Sequence, residues 1–266
     1  FILKKCDTPG YSIHDAENIS EPSEILFHDK NYDPHSLVAA LLYLSRLARP
    51  DISHSVSFLT RQIHCWSVGA DEALKKLFGY LSITYNLSIF QPLPDIDPEA
   101  LGREVIEYFS DADLAGDVLS SRSCGGDHTF LTFYDRSGKK KQWLLSWCSK
   151  MLTQKPTSTC WSELASHQRG LQDRALPLSL LLEDLTKFEA PVHGHLDNTA
   201  GVSAIKHGYS PVLRHLARHS RLSLVHLNAI YIDGGSCLAY VESAKNVSDI
   251  GTKPLPSQLH WNCVIM

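Results

Sequence analysis

One stretch, YFSDADLAGD from Tyr108 to Asp117, constrains what this chain can fold into more than any other. Val105, Ile106, Tyr108 and Phe109 are bulky β-formers and predict a strand over Val105–Ser110. Asp111 and Asp113 follow where that strand should end, and Gly116 with Ser120 and Ser121 lets the chain turn back. A carboxylate at a strand end, pointing over a sheet edge, is well placed to hold a divalent cation. An ordinary strand closed by an Asx turn uses the same residue types, so the stretch decides nothing by itself. Three further acids in matching contexts shift the balance. Glu163 falls in the first turns of a long predicted helix, Asp197 at the end of a predicted strand, and Asp249 at the start of a terminal helical turn.

The elements around these acids define a fold class. Strands are predicted at Thr129–Tyr134 and Gln142–Trp147, joined by a turn at Arg136-Ser137-Gly138. An apolar-periodic segment from Ser158 to Lys187 follows, with Pro177 expected to kink or split it. Next come a strand at Val192–Leu196, a helix through Ile205 closed by Gly208, and a helix from Pro211 to Ile230. A last strand is expected at Cys237–Val241, then a helical turn at Asn246–Gly251 stopped by Pro254. Three strands in succession, then strands alternating with helices, predict an α/β fold with a mixed sheet flanked by helices.

Upstream the pattern is different. Leu37, Ala40, Leu41, Leu44 and Leu47 repeat at helical spacing until Pro50. A second helix starts at Asp51 or Ser53, a third runs from Asp71 to Leu81, and Leu87 to Phe90 reads as a short strand. The Pro- and Asp-rich stretch from Pro92 to Glu99 reads as a linker. The expected division is an irregular segment over 1–32, a mainly helical segment over 33–98, an α/β domain over 99–256 and a tail over 257–266.

Composition narrows the function classes. The 266 residues suffice for one large or two small domains. No apolar run is long enough to span a membrane, no signal peptide is recognised, and Phe1 in place of an initiator Met reads as a piece of a longer product. A net charge of -4 argues against tight nonspecific nucleic-acid binding. Basic residues nonetheless cluster, with Lys139, Lys140, Lys141, Lys150 and Lys155 in one stretch and Lys206, Arg214, Arg218 and Arg221 in another; solvated faces are the alternative. Seven scattered cysteines with no CxxC read as reduced thiols in an intracellular protein. His193 and His195, with His215 and His219 four apart, have zinc-like spacing, but the interleaved arginines favour a basic surface. Trp143, Trp147 and Trp161 read as core packing ahead of base stacking.

Four carboxylates converging at one sheet edge repel one another unless cations neutralise them. Two magnesium ions roughly 3.5–4 Å apart are the usual arrangement for phosphodiester hydrolysis, and hard oxygen ligands suit magnesium or manganese ahead of zinc. Acids at helix starts also serve as dipole partners, so spacing alone does not lead from four acids to a nuclease.

Motifs in order do. The chain resembles the C-terminal part of a copia-type LTR retrotransposon Pol polyprotein, the end of its reverse transcriptase plus its ribonuclease H domain. SDADLAGD resembles that family's first ribonuclease H motif, and SWCSKMLTQKPTST followed by SEL its second. HLDNTAGVSAI resembles the Asp-Asn third motif, and YVESAKNVSDIGTKPLP the C-terminal one. Upstream, LLYLSRLARPDISHSVSFLTRQ resembles the segment between polymerase and ribonuclease H.

The resemblance implies a ribonuclease H-like, five-stranded mixed sheet, and a polymerase thumb or connection for the helical segment. It implies metal-dependent cleavage of the RNA strand of an RNA–DNA hybrid, read through shape and the 2′-OH. By motif, Asp111, Glu163, Asp197 and Asp249 are the catalytic, metal-binding quartet for two Mg2+ or Mn2+ ions. Asp113, Asn198 and Asn246 are expected to support the ligands or touch substrate, and Lys150, Lys206, Arg214 and Arg218 to contact nucleic acid. The implied partners are the hybrid and the upstream reverse transcriptase of the same polyprotein, in a cytoplasmic particle or the nucleus.

The chain departs from the pattern in places. The second motif usually carries two acids, and Trp161 stands where the first is expected. The catalytic histidine of cellular ribonucleases H has no counterpart near Ala239 and Tyr240, and the polymerase signature Tyr-x-Asp-Asp is absent. Two other readings therefore stay open: a folded but inactive remnant that only binds nucleic acid, and a structural domain linking a polymerase to its partners.

Overall fold

The computed structural model describes residues 4–11, 33–91, 102–117, 120–213, 222–232 and 235–265. The expected linker at 92–99 lies outside the described residues, as do Arg214, His215, Arg218, His219 and Arg221.

The upstream segment folds as helices. Helix α1 (Pro34–Leu47) starts where the side chain of Asp33 accepts the N–H groups of His35 and Ser36, with Pro34 supplying a preset φ. A 3-10 turn at Pro50–Ile52 leads into α2 (Ser53–Gln62). Helix α3 (Val68–Ile83) is capped by Ser67, whose hydroxyl accepts the Ala70 N–H. It therefore starts earlier than the apolar spacing suggests. Val38, Ile52, Val56, Leu59, Leu77 and Tyr80 pack among these helices as a core of their own.

Downstream come β1 (Val105–Ala112), β2 (Cys124–Tyr134) and β3 (Lys140–Met151), all longer than predicted. Asp111 thus lies inside β1, because β1 keeps pairing with β2 to the end, Ala112 opposite Gly125. Helix α4 (Thr159–Gly170) runs through a π turn at Leu171–Ala175 into α5 (Leu176–Thr186). The break anticipated at Pro177 thus falls before it. Pro177 sits in the first turn of α5, where a missing N–H is tolerated. Then follow β4 (Val192–Leu196), α6 (Thr199–His207), α7 (Leu224–Ile232) and β5 (Cys237–Tyr240). The helix expected from Pro211 begins, among the described residues, at Leu224.

Among the described residues the strands form one five-stranded sheet in the order β3-β2-β1-β4-β5. The pairs β1/β2 and β2/β3 are antiparallel, whereas β1/β4 and β4/β5 are parallel. This is the expected mixed sheet flanked by helices. Its main core joins Ile106, Tyr108, Leu164, Leu171, Leu196 and Ile205.

Two expectations are corrected. Leu87–Phe90 is irregular: the stretch runs beside β3, where Gln91 Nε2 donates to Leu144 O at 2.6 Å, but forms no ladder. The supposed tail at 257–266 contains α8 (Ser257–Ile265), which turns back onto the helical segment. Tyr80 O–H and His260 Nε2 share a hydrogen bond at 3.0 Å, and Trp261 packs against the helical core. Trp147 Nε1 donates to Ser45 O at 2.7 Å and ties β3 to α1. All seven cysteines are free. Among the described residues no helix is long and apolar enough to cross a membrane.

Candidate metal centre

The sheet register builds the site. β1 and β4 run parallel with Phe109 level with His195. Two residues further on, Asp111 comes level with Asp197. Neighbouring strands lie roughly 4.8 Å apart, so carboxylates at those positions meet. Helix α4 supplies the third. Ser158 caps it by accepting the Trp161 N–H, which fixes where the helix starts, and Glu163 then lies buried one turn in. Asp111, Glu163 and Asp197 each present an oxygen within 4.8 Å of the others.

Asp249 reaches this group from the other direction. It sits in a 3-10 turn (Val247–Gly251) packed on β1 and β2. Buried Asn246 anchors that turn by donating through Nδ2 to Ser110 O at 3.1 Å and accepting the Ser248 N–H. These bonds fix the turn that carries Asp249. Asp249 is not among the three converging carboxylates but lies within hydrogen-bonding reach of Asp111.

Few protein groups balance these charges. Thr252 Oγ1 donates to Asp111 Oδ2 at 2.6 Å, and Ser243 Oγ donates to Asp197 Oδ2 at 2.7 Å. Lys253 Nζ lies 2.9 Å from Asp249 Oδ1 and 3.8 Å from Asp111 Oδ2. Among the described residues Glu163 Oε2 and Asp197 Oδ1 are buried with no hydrogen-bond partner. Burial, with Asp197 adding to it, pushes the Glu163 carboxyl up to about 8, against a hydrogen bond from Asn198. Burial and the Asp111 charge push Asp249 up to about 7. Buried carboxylate oxygens without donors are costly unless a cation reaches them. An all-oxygen set fits a hard divalent ion, so the residues present suit magnesium or manganese.

The other expected residues fall into place as follows. Asp113 stands apart from the cluster: its Oδ1 accepts the Cys124 N–H and closes the loop after β1, while burial raises its carboxyl to about 7. Asn198 caps α6 by accepting the Gly201 N–H at 2.9 Å. Lys150 is exposed near the end of β3, beside a groove of about 640 Å3 lined also by Gln154, Trp161, Gln168 and Arg169. Lys206 is exposed on α6. Trp161 packs in the main core, in line with a packing role. His195 Nε2 is taken up by a hydrogen bond with Glu107 Oε2. Sequence reasoning passed over Thr252, Lys253 and Ser243. The signal for Lys253 was its place four residues after Asp249 in a helical turn, the spacing at which an acid and a base meet.

A mixed sheet in this order, with carboxylates gathered at the ends of its central parallel strands, defines a ribonuclease H-like fold. No family model matches the chain. The chain is 25% identical over 248 residues to the retrovirus-related Pol polyprotein from transposon RE1 of Arabidopsis thaliana, covering 93% of this chain and 15% of that protein. It is 24% identical over 248 residues to the corresponding polyprotein from transposon RE2 of the same plant, with the same coverage. Among solved structures, the prototype foamy virus protease-reverse transcriptase matches 66% of this chain and 21% of its own, with a TM-score of 0.31 and 11% identity. The chain is thus similar to one region of these retrotransposon Pol polyproteins, and it spans about 15% of the length of the relatives it matches.

Proposed function

We propose that this Pol region is a ribonuclease H that hydrolyses the RNA strand of RNA–DNA hybrids formed during reverse transcription, using Mg2+ or Mn2+. One observation carries the reading: three carboxylates from three different elements converge within 4.8 Å, and two of their buried oxygens lack any donor among the described residues. A purely structural acidic cluster would be closed by arginines or backbone N–H groups.

Asp111, Glu163 and Asp197 would hold one ion, and Asp111 with Asp249 would flank a second position. Ions held there would supply an activated water and charge stabilisation for the leaving oxygen. The protein's own groups prepare the ligands. Ser243 fixes Asp197 through Oδ2 and leaves the buried Oδ1 free of hydrogen bonds among the described residues. Thr252 fixes Asp111 from the opposite side. Lys150 and Lys206, both exposed, are proposed to meet the phosphate backbone, whose recognition depends on charge and not on sequence. The upstream reverse transcriptase of the polyprotein is the proposed source of the hybrid.

The test is cleavage of a labelled RNA–DNA hybrid in magnesium, against an EDTA control and the Asp111→Asn protein. The expected result is metal-dependent cutting of the RNA strand that vanishes in the variant. No cutting by folded protein in either magnesium or manganese would overturn the proposal.

A further inference from the structure

The Asp111/Asp249 half of the centre already contains a cation. Lys253 Nζ sits 2.9 Å from Asp249 Oδ1 and 3.8 Å from Asp111 Oδ2. The two carboxylates are within hydrogen-bonding reach of one another. The other half is different: Glu163 Oε2 and Asp197 Oδ1 are buried and without donors. One side of the cluster is neutralised from within and the other is left for an ion from outside.

We propose that Lys253 is an internal counter-ion occupying the second cation position, so that the chain alone binds a single divalent ion at Asp111, Glu163 and Asp197. This rests on the proposed function, which supplies the metal. A second ion enters only when the ammonium leaves. The side chain is built for that exchange. It is 43% exposed, and a flexible four-carbon stem lets a compact point charge swing away. Its attachment is also local. Lys253 follows Asp249 by one helical turn, and the neighbouring Thr252 keeps its own bonds to Asp111 Oδ2 and Asp249 O when the lysine moves. An incoming anionic phosphodiester offers the ammonium an alternative partner.

The prediction concerns stoichiometry, read without turnover. Free manganese is counted by electron paramagnetic resonance while the metal-free protein is titrated with Mn2+. The wild-type chain should bind one ion, Lys253→Met two, and Lys253→Arg one, since arginine keeps the charge. The double variant Lys253→Met/Asp249→Asn should return to one, which assigns the extra ion to Asp249. Thermal melts check that each variant is folded. Two ions on the wild-type chain, or one on Lys253→Met, would overturn the inference while leaving the metal centre intact. No ion on any of the proteins would overturn the proposed function and this inference together.

Discussion

Two of the buried charged clusters among the described residues are finished differently. Beside the helical core, Arg49 and Asp51 pair through two nitrogens and both carboxylate oxygens, the shortest contact being 2.7 Å. Arg49 also donates to Thr84 O and Oγ1, and Tyr80 O–H donates to Asp51 Oδ2 at 2.8 Å. His260 from α8 completes the network; burial lowers its pKa to about 4, so it is neutral there near pH 7. At the sheet edge, the carboxylates of Asp111, Glu163 and Asp197 crowd together, and two buried oxygens have no donor among the described residues. Both clusters bear the cost of burying charge. The first offsets it with internal partners and holds the Pro50–Ile52 turn, α3 and α8 together. The second leaves it unbalanced, an imbalance that a bound cation would relieve.

The largest effect that separates them is catalytic. Asp111→Asn should reduce hybrid cleavage to background in a nuclease assay, yet leave the metal-free melting temperature unchanged or raised, because one of several repelling charges is gone. Arg49→Met should do the reverse. It strands the Asp51 carboxylate in the helical core and costs about 3–5 kcal/mol of stability, measured by urea unfolding. Cleavage per folded molecule should persist. A loss of stability in both variants would erase the distinction.

The third expected effect is a pH dependence. In the metal-free folded chain Glu163 keeps its proton up to about 8, whereas an unfolded glutamate loses it near its ordinary value of 4.5. Between these values the folded state binds more protons, so stability falls as pH rises through the window. Asp113 and Asp249, both raised to about 7, add to the slope below that pH. Saturating manganese should reduce the slope, and Glu163→Gln should remove mainly its part between about pH 7 and 8; thermal melts from pH 5 to 9 read both. The smallest effect belongs to the seam between the helices and the sheet. Trp147→Phe loses the bond to Ser45 O and should cost about 1 kcal/mol, with metal binding unaltered.

Much of this was legible in the chain, for identifiable reasons. Strand β1 announces itself by β-branched and aromatic residues, and Ser67 and Ser158 are side chains of the type that caps helices. Parallel pairing of β1 with β4 cannot be read locally, yet it is what brings Asp111 level with Asp197. The extra length of β1 and β2 comes from their pairing with each other through Gly125 and Gly126, residues that no β-propensity would favour. The π turn before α5 was hidden because Pro177 draws attention to itself, while Arg174 in that turn is held by an ion pair to buried Asp127. Helix α8 was missed because its apolar residues face a partner from far upstream, Tyr80. The second contact of Lys253, to Asp111, could not be read for a related reason: the two residues are remote in sequence.

The most direct test of the central claim is anomalous diffraction from crystals of this chain soaked in manganese. The account predicts a peak bounded by Asp111, Glu163 and Asp197, and none at Asp51. A crystal with no peak among those three carboxylates at saturating manganese, their side chains ordered and accessible, would contradict it.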